Sequence, residues 1–299
     1  MDIRAHAKIN WDLCILGRRP DGYHEIDTVM VSIDLADRLT IEPADELSMT
    51  CSDPALPCDD TNLVMRAAKA LAQASGARQG ARIHLEKHVP AGGGLGGGSS
   101  DAAAVLAALN NLWRTGFSRE RLNELAAQLG SDIGFFLWGG WCRCGSRGER
   151  VEPLEDSAAW PRLPVLLIIP PFSAPTPLVY KHLNAVPLAK ESRPRYLTNL
   201  SRDINTIITT LQSTKNFRHW PRNDLQAAAC KAEPRLAELQ AVLERDYAGR
   251  WQMSGSGAVH MVLPLQGEKA TELEIRLRRS LTYAVRVVAT TTVTPGSTA

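Results

Sequence analysis

A glycine-rich segment from Pro90 to Asn110 has the residue types and spacing best suited to chemistry. Six of the seven residues from Gly92 to Gly98 are glycine, and two serines, an aspartate and a run of alanine, valine and leucine follow them. Because glycine has no Cβ, the backbone N–H groups of such a loop can point at one spot. The N-terminus of a following helix adds unpaired donors and a partial positive charge. The segment therefore predicts an anion site suited to phosphate.

The elements around this loop weigh against the usual alternative, a flexible linker. Residues 81–90 alternate apolar and polar side chains, which is typical of a half-buried strand. An alanine-rich helix follows the loop, with Ser99, Ser100 or Asp101 as its N-cap. A strand, a glycine loop and a helix in this order favour a nucleotide site. Either serine could also offer its hydroxyl to a phosphate or to Mg²⁺.

The loop fits none of three familiar nucleotide motifs. Gly92, Gly94 and Gly97 satisfy G-x-G-x-x-G, but a loop so rich in glycine matches many templates. A dinucleotide fold places an acidic residue about twenty positions later, at the end of a second strand, but here the next acid after Asp101 is Glu120, in a predicted helix. The G-K-[ST] ending of a P-loop and the H-R-D and D-F-G sequences of protein kinases are missing. The sequence therefore predicts a phosphate loop of another type.

Two charged residues far from the loop could act on a phosphate. Lys8 lies in a segment of alternating pattern, where most lysines are merely solvated, but Asn10 shares its face and the segment otherwise resembles a core strand. A cation there could face a transferred phosphoryl group or lower the pKa of a nearby hydroxyl. Ser131 and Asp132 both suit a helix N-cap. Asp132 also suits a general base for phosphoryl transfer to an alcohol.

A turn within Gly17–Thr28 presents an aromatic ring and an imidazole. Pro20–Gly22 consists of turn-forming residues, and Tyr23 and His24 follow directly. One interpretation is a turn with an exposed aromatic side chain. The other is an aromatic face and a hydrogen-bonding group that meet a planar ligand such as a base.

The elements that must position these residues mix strands and helices. Strands are predicted over residues 5–16, 28–35, 37–42, 165–169 and 283–290, and helices over 62–74, 118–129 and 268–281, besides the helix after the glycine loop. A second glycine turn, within 251–263, is predicted between a helix and a strand. Prolines and acidic residues cluster over 149–164, which indicates a domain boundary, and the last nine residues are predicted to fray.

Composition bounds the class of protein. A chain of 299 residues suits two domains of about 150 residues. The net charge of +2, without a basic stripe, argues against nucleic acid as the main partner. No apolar run is long enough to span a bilayer and the first residues lack a signal-peptide apolar region, so we expect a cytoplasmic protein. The six cysteines form no C-x-x-C pair and are expected to be free thiols.

Three motifs, taken in order, resemble those of the galactokinase, homoserine kinase, mevalonate kinase and phosphomevalonate kinase (GHMP) superfamily. They are Lys8-Ile9-Asn10, the loop Pro90–Ser100 and the S-G-S-G turn Ser254–Gly257. Further pieces are similar to the branch that acts on a cytidine diphosphate-linked methylerythritol: R-x-P-D-G-Y-H at 18–24, G-G-G-L-G-G-G-S-S-D-A-A at 92–103, L-G-S-D-I at 129–133, a relative of G-x-G-E-R at 146–150 and P-T-P at 175–177. The resemblance covers nearly the whole chain and is weakest over 181–220.

The resemblance implies a fold, a reaction and its cofactors. The expected fold is α+β, with a ribosomal-protein-like ATP-binding domain over residues 1–155 and a ferredoxin-like domain over 156–299, whose last strand can return to the first domain. The expected reaction is ATP-dependent phosphorylation of the tertiary C2 hydroxyl of the methylerythritol unit, in the non-mevalonate route to isoprenoids. The implied cofactors are ATP and Mg²⁺. The implied partner is the small-molecule substrate, without nucleic acid or membrane, and the implied assembly is a monomer or homodimer.

The resemblance also implies residue roles. Lys8 and Asp132 form the expected catalytic pair, and Ser100 is the expected magnesium ligand. The expected ATP phosphate loop consists of Pro90, Ala91, Gly92, Gly93, Gly94, Leu95, Gly96, Gly97, Gly98, Ser99 and Ser100. The residues expected beside the adenosine are Asn62 and Lys87, and those beside the cytidyl substrate are Asn10, Tyr23, His24, Thr176, Tyr180 and Lys181.

Two positions depart from the family pattern. Tyr180 stands where the family often has phenylalanine, so stacking on cytosine can survive. Gly134 stands where the family usually has proline, which could loosen the helix that carries Asp132. Cys142 and Cys144 have no chemistry that the sequence assigns.

Two alternatives remain at this point. One is a homoserine or mevalonate type of GHMP kinase, although those substrates carry no base for Tyr23 and His24 to bind. The other is a non-catalytic nucleotide- or RNA-binding protein, against which the presence of Lys8 and Asp132 and the near-neutral charge argue.

Overall fold

The first half of the molecule is built on two long paired strands. The computed structural model describes residues 1–154, 160, 162–183 and 223–294, so most of the segment 181–220 lies outside the described residues. Strands β1 (Asp2–Arg18) and β2 (His24–Ala44) run antiparallel along their whole length. Strand β2 was expected as two strands, over 28–35 and 37–42. It is continuous because β1 pairs with it on both sides of the expected break.

The other edge of β2 is shared between two groups of strands. The remaining strands of the first half are β3 (Leu47–Cys51), β4 (Gly80–Glu86), β5 (Trp141–Ser146) and β6 (Arg150–Pro153). Within the described residues the sheet has six strands in the order β3-β4-β2-β5-β6, with β1 paired to β2. Strands β4 and β5 therefore share this edge of β2, while the glycine loop contacts β1 through the hydrogen bond from the N–H of Lys8 to the carbonyl of Leu95.

Helices cover one face of this sheet. They are α1 (Leu63–Ser75), α2 (Gly97–Leu112), α3 (Arg119–Leu129) and the short α4 (Ile133–Trp138). Their apolar sides pack with the sheet into one buried cluster that includes Leu39, Ile83 and Leu106. Side-chain caps begin two of these helices, since Asn62 accepts from Val64 N–H and Ser118 accepts from Arg121 N–H.

The helix after the glycine loop begins earlier than expected. Ser99, Ser100 and Asp101 were the expected caps, but α2 begins at Gly97 and its N-cap is Gly96, which has a φ of 72°. Glycine reaches this left-handed conformation without a Cβ penalty, so the loop turns directly into the helix. The serines and the aspartate therefore lie inside the first turns of α2.

The second half forms a separate sheet of ferredoxin-like order. Its elements are β7 (Pro164–Ile169), α5 (Thr176–His182), α6 (Gln226–Ala232), α7 (Arg235–Tyr247), β8 (Trp251–Met253), β9 (His260–Val262), α8 (Ala270–Ser280) and β10 (Arg286–Thr291). The described sheet has the order β10-β7-β9-β8, which is the order of a β-α-β-β-α-β unit. The S-G-S-G turn lies between β8 and β9, so a short strand, and not the expected helix, directly precedes it.

The two halves share buried contacts. Ile9 and Val31 of the first sheet pack in one cluster with Val165 and Met261 of the second. The expected return of the last strand is limited to a bridge, because β10 pairs with β7 and only Thr292, just after it, pairs with Ile33. The expected α+β class with two units is confirmed. Within the described residues, no helix is both long enough and apolar enough to span a membrane.

Candidate active site

Lys8 and Asp132 meet at the centre of the molecule. Lys8 lies on β1 and is buried, and its Nζ is 3.3 Å from Asp132 Oδ2. Asp132 immediately precedes α4, but its side chain makes no capping hydrogen bond, so the helix-cap interpretation does not hold. The carboxylate side of the pair remains 32% exposed. The pair therefore has one buried cation and one carboxylate that is open to a ligand.

Asn10 fixes the position of the Lys8 side chain. The Lys8 ammonium donates to Asn10 Oδ1 at 2.6 Å, and Asn10 Nδ2 donates to Thr28 Oγ1 at 2.9 Å. The Thr28 hydroxyl in turn donates to the carbonyl of Asp12. This chain of donors orients the amide of Asn10, so its oxygen must face the ammonium.

The glycine loop approaches this pair through close backbone contacts. The N–H of Lys8 donates to the carbonyl of Leu95 at 2.9 Å. Ser254 of the S-G-S-G turn donates its hydroxyl to the carbonyl of Gly94 at 3.0 Å, and a Cβ at Gly94 would overlap the Ser254 carbonyl. A Cβ at Gly96 would lie only 3.1 Å from Lys8 Cγ. The loop needs glycine at both positions because their φ values are positive and because the Ser254 backbone and the Lys8 side chain leave no room for a Cβ.

Three residues that were expected to bind ATP or its metal have side chains that make hydrogen bonds away from the Lys8–Asp132 pair. Ser100 is buried and donates its hydroxyl to the carbonyl of His6 at 2.7 Å. Asn62 caps α1 and donates to the carbonyl of Pro57 at 2.7 Å. The ammonium of Lys87 donates to two buried carboxylates, those of Asp37 and Asp101, described below. These contacts leave the expected roles of the three residues untested.

A cavity of about 700 Å³ extends from the Lys8–Asp132 pair. It is lined by Gly94 and Gly96 of the loop and by all six of the residues expected beside the substrate, namely Asn10, Tyr23, His24, Thr176, Tyr180 and Lys181. The structure thus brings the Lys8–Asp132 pair, part of the glycine loop and the residues expected beside the substrate to one cavity. Asn62, Lys87 and Ser100 do not line it.

Aromatic rings line the far end of the cavity. The rings of His24 and Tyr180 are 5.1 Å apart, and the Arg147 guanidinium lies 4.9 Å from the centre of the Tyr23 ring. Tyr23 is 55% exposed, so it can move to meet a ligand. Burial, with the nearby Arg18 charge, lowers the pKa of His24, so its imidazole is neutral at pH 7. Burial also raises the pKa of Tyr180.

Sequence reasoning missed several cavity residues. Arg18 and Arg147 lie in motifs that were noticed but given no role, and both line the cavity. Glu149 holds Arg147, since it accepts from the backbone N–H at 2.8 Å and from Nε at 3.3 Å. Ser256 hydrogen bonds to Thr176 at 2.7 Å, which joins the S-G-S-G turn to α5. In the sequence, the only feature that marks the two arginines is a positive charge beside a turn, and such charges are common on any protein surface.

The departures from the family pattern have structural answers. The side chain of Asn123 fills the space beside Gly134, and a Cβ there would overlap it. The helix after Asp132 forms without the proline, and Asp132 keeps its contact with Lys8. The six cysteines all lie in the described residues and form no disulfide bond, as expected. Cys142 and Cys144 are buried, and burial raises the pKa of both.

Comparisons with known proteins agree with this geometry. A family model described as "GHMP kinases N terminal domain" matches residues 62–140. The 4-diphosphocytidyl-2-C-methyl-D-erythritol kinase of Pelotomaculum thermopropionicum is 40% identical over 280 residues, which is 92% of this chain and 93% of the relative. The kinase of the same name from Chlorobium chlorochromatii is 38% identical over 262 residues, 86% of each chain.

Solved structures give the same result. A crystal structure of 4-(cytidine 5'-diphospho)-2C-methyl-D-erythritol kinase is similar with a TM-score of 0.75 and 32% identity, covering 98% of this chain and 99% of that one. A mevalonate kinase structure, 14% identical with a TM-score of 0.62 and covering 98% of this chain and 99% of that one, shares the fold alone. The chain therefore belongs to the GHMP kinases and, among them, to the 4-diphosphocytidyl-2-C-methyl-D-erythritol kinase family.

Proposed function

We propose that this chain transfers the γ-phosphoryl group of ATP to the C2 hydroxyl of 4-diphosphocytidyl-2-C-methyl-D-erythritol, a step of isoprenoid precursor synthesis. The chain is an ATP-dependent phosphotransferase with an alcohol acceptor, as its relatives are. The observation that carries the specific reaction is the single cavity that joins the Lys8–Asp132 pair to an aromatic and cationic end. A cytidine diphosphate ester presents an aromatic base, a doubly charged linker and an alcohol in that order.

The far end of the cavity supplies groups for the base and its diphosphate. Tyr23, His24 and Tyr180 offer aromatic faces for stacking on cytosine. The cations of Arg18 and Arg147, with Lys181, suit two phosphates, because charge-assisted hydrogen bonds to phosphate oxygens are strong. A homoserine or mevalonate substrate has no base for the aromatic set, and its single carboxylate would use only part of the cationic set.

The glycine loop supplies groups for the donor. Its backbone N–H groups and the N-terminus of α2, which begins at Gly97, fit the negative oxygens of ATP. Mg²⁺ commonly arrives with the nucleotide phosphates and takes few protein ligands. Ser100, the expected ligand, is buried and donates its hydroxyl hydrogen to the carbonyl of His6, so it would hold Mg²⁺ only through the lone pairs of its oxygen.

The pair at the centre supplies the chemistry. The C2 oxygen attacks the γ-phosphorus, the bond to the β-phosphate oxygen breaks, and ADP leaves. The hydroxyl proton passes to the Asp132 carboxylate, which is open to the cavity. The Lys8 ammonium, held by Asn10, stabilises the negative charge that develops on the transferring group.

Three wider properties belong to the same proposal. We assign residues 1–155 to the ATP domain and 156–299 to the second domain. The near-neutral charge supports a small-molecule partner without nucleic acid. We expect a cytoplasmic enzyme that acts as a monomer or homodimer.

A substrate comparison tests the proposal. The purified chain is incubated with ATP, Mg²⁺ and either the cytidyl substrate, homoserine or mevalonate, and ADP release is followed. We expect release with the cytidyl substrate alone, and competition by cytidine diphosphate. Release with homoserine or mevalonate instead would select another GHMP activity. Binding of ATP with no transfer to any acceptor would support the non-catalytic alternative.

A further inference from the structure

A buried aspartate beneath the glycine loop is not used by the proposed reaction. Asp37 lies on β2 with its side chain fully buried. Its Oδ1 accepts the N–H of His88 at 2.6 Å and the N–H of Val89 at 2.8 Å. Its Oδ2 accepts from the ammonium of Lys87 at 2.5 Å. One carboxylate therefore holds three consecutive residues at the point where the chain leaves β4 for the loop.

Lys87 connects Asp37 to α2, the helix that follows the loop. Its ammonium also donates to Asp101 Oδ2 at 2.9 Å, and Asp101 lies on α2. The same Nζ is 2.8 Å from the place where a Cβ on Gly97 would lie. The strand that enters the loop and the helix that leaves it are thus joined by two ion pairs at the base of the loop.

Stability alone does not explain this arrangement. Three buried charges are costly to desolvate, and apolar side chains of similar volume often serve a core as well. The second carboxylate is also incompletely satisfied, since Asp101 Oδ1 is buried without a hydrogen-bond partner. Burial raises the pKa of Asp101 in the same place. An incompletely satisfied buried group calls for another reason.

We propose that Asp37 is a positioning residue for the ATP phosphates, acting through Lys87 and Asp101. The inference rests on the proposed role of Pro90–Ser100 as the phosphate loop. Backbone N–H groups bind a phosphate only where they converge, and a displacement of about 1 Å is enough to weaken such a site. The tether sets the distance between His88 and α2, and with it the direction of the N–H groups between them. Lys87 then acts on the phosphates through the loop.

Binding of inorganic tripolyphosphate tests whether Asp37 positions the phosphate loop, because this ligand has phosphates but no adenosine. The Kd is measured by calorimetry for the wild type and for Asp37→Asn, Asp101→Asn and Lys87→Arg. Asp34→Asn is the matched control, since Asp34 lies on the same strand but pairs with Arg4 at the surface. The KM for ATP and for the cytidyl substrate and the unfolding temperature are measured beside it.

We expect Asp37→Asn to weaken tripolyphosphate binding and raise the KM for ATP by about tenfold, while the KM for the cytidyl substrate changes less than about twofold. Asp101→Asn shifts the same quantities by about threefold, because the tether keeps its Asp37 half. Lys87→Arg keeps the positive charge, but its larger guanidinium must fit between two buried carboxylates, so it also shifts these quantities by about threefold. Asp34→Asn behaves as the wild type.

Several results would overturn the proposal. A folded Asp37→Asn with unchanged tripolyphosphate binding removes it, as does an equal rise in both KM values. Weaker ATP binding with normal tripolyphosphate binding would place Lys87 at the adenosine instead. If Asp37→Asn does not fold, normal tripolyphosphate binding by Asp101→Asn contradicts the proposal. Failure of the proposed function is distinct, because it shows as absent ADP release in the wild type, while tripolyphosphate binding needs no acceptor.

Discussion

Two lysine–aspartate pairs lie beside the glycine loop, and they differ in how many hydrogen-bond donors their carboxylates already accept. In the pair Lys8–Asp132, Nζ and Oδ2 are 3.3 Å apart and the carboxylate side is 32% exposed. In the pair Lys87–Asp37 the separation is 2.5 Å and Asp37 is fully buried, with backbone N–H groups on its other oxygen. The difference shows that the same two side chains can serve chemistry or architecture, depending on the remaining hydrogen-bond partners.

The carboxylate of the first pair, Asp132, still has room for another hydrogen-bond partner. Asp132 caps no backbone N–H, and its partner Lys8 is held from behind by Asn10. A carboxylate that is paired but not saturated can accept a proton from a ligand. The second pair has no such capacity, since the Asp37 carboxylate already accepts three donors.

The largest expected effect tests the incomplete pair. We expect Asp132→Asn to lower kcat by about 10²- to 10⁴-fold, because the amide cannot accept the hydroxyl proton. The unfolding temperature should change little, since the side chain is partly exposed and caps nothing. Steady-state kinetics measure the expected loss of kcat, and thermal unfolding measures the expected lack of change in stability. Asp246→Asn serves as the control variant. Near-normal turnover would remove Asp132 from the chemistry.

The next effect tests the saturated pair. We expect Lys87→Met to lower the free energy of unfolding by about 3–5 kcal/mol, because it leaves two buried carboxylates without their cation. Lys8→Met should cost less, since its partner carboxylate can be solvated. Urea unfolding of both variants gives the comparison. A larger loss for Lys8→Met would reverse the assignment of the two pairs.

The elements of the first half were largely accessible from the sequence. The alternation of β1 and the glycine loop with its helix have local signatures, and so does the cap at Ser118. The continuity of β2 was missed because it depends on a partner strand and not on its own residues. The start of α2 was missed because polar side chains looked like caps, whereas a left-handed Gly96 begins the helix.

The site divides in the same way. Lys8 and Asp132 were candidates from their residue types and positions, and the family motifs then marked them as one pair. The tether of Asp37 was not found, because nothing in the pattern of a buried strand distinguishes an aspartate that faces three donors from one that faces water. Contacts between residues about 50 positions apart arise only when the fold is complete. Arg147 was passed over because its partner Glu149 gives it direction only in the folded hairpin.

A pH series sharpens the contrast further. Burial, opposed by Lys87 and aided by Asp37, raises the pKa of Asp101 to about 7. A carboxyl group with a raised native pKa stabilises the fold below its unfolded pKa of about 3.9, and this contribution is lost as the pH rises through its native pKa. We therefore expect the stability of the wild type relative to Asp101→Asn to fall between about pH 4 and pH 8. Chemical denaturation across that range measures it.

The direction in which the stability difference between the wild type and Asp101→Asn changes with pH shows which interaction dominates at Asp101. A falling difference means that desolvation of Asp101 outweighs its attraction to Lys87. A difference that rises with pH would mean that the ion pair dominates, and the buried cluster would then resemble an ordinary stabilising salt bridge.

The smallest expected effect asks whether Asp132 depends on neighbours other than Lys8. The Asp132 charge is among the causes that raise the pKa of Tyr180, so the two groups sense each other across the cavity. If Lys8 is the only neighbour on which the Asp132 role depends, Tyr180→Phe should change kcat/KM by less than about threefold, a loss of at most about 0.7 kcal/mol. The ring contact with His24, at 5.1 Å, is kept in this variant. Tyr180→Ala removes the ring as well and serves as the comparison, with a clear rise in the KM for the cytidyl substrate. A large kcat loss in Tyr180→Phe would show that the Asp132 carboxylate has a second partner. The Lys8–Asp132 pair would then differ less from the Lys87–Asp37 pair in the number of partners of its carboxylate.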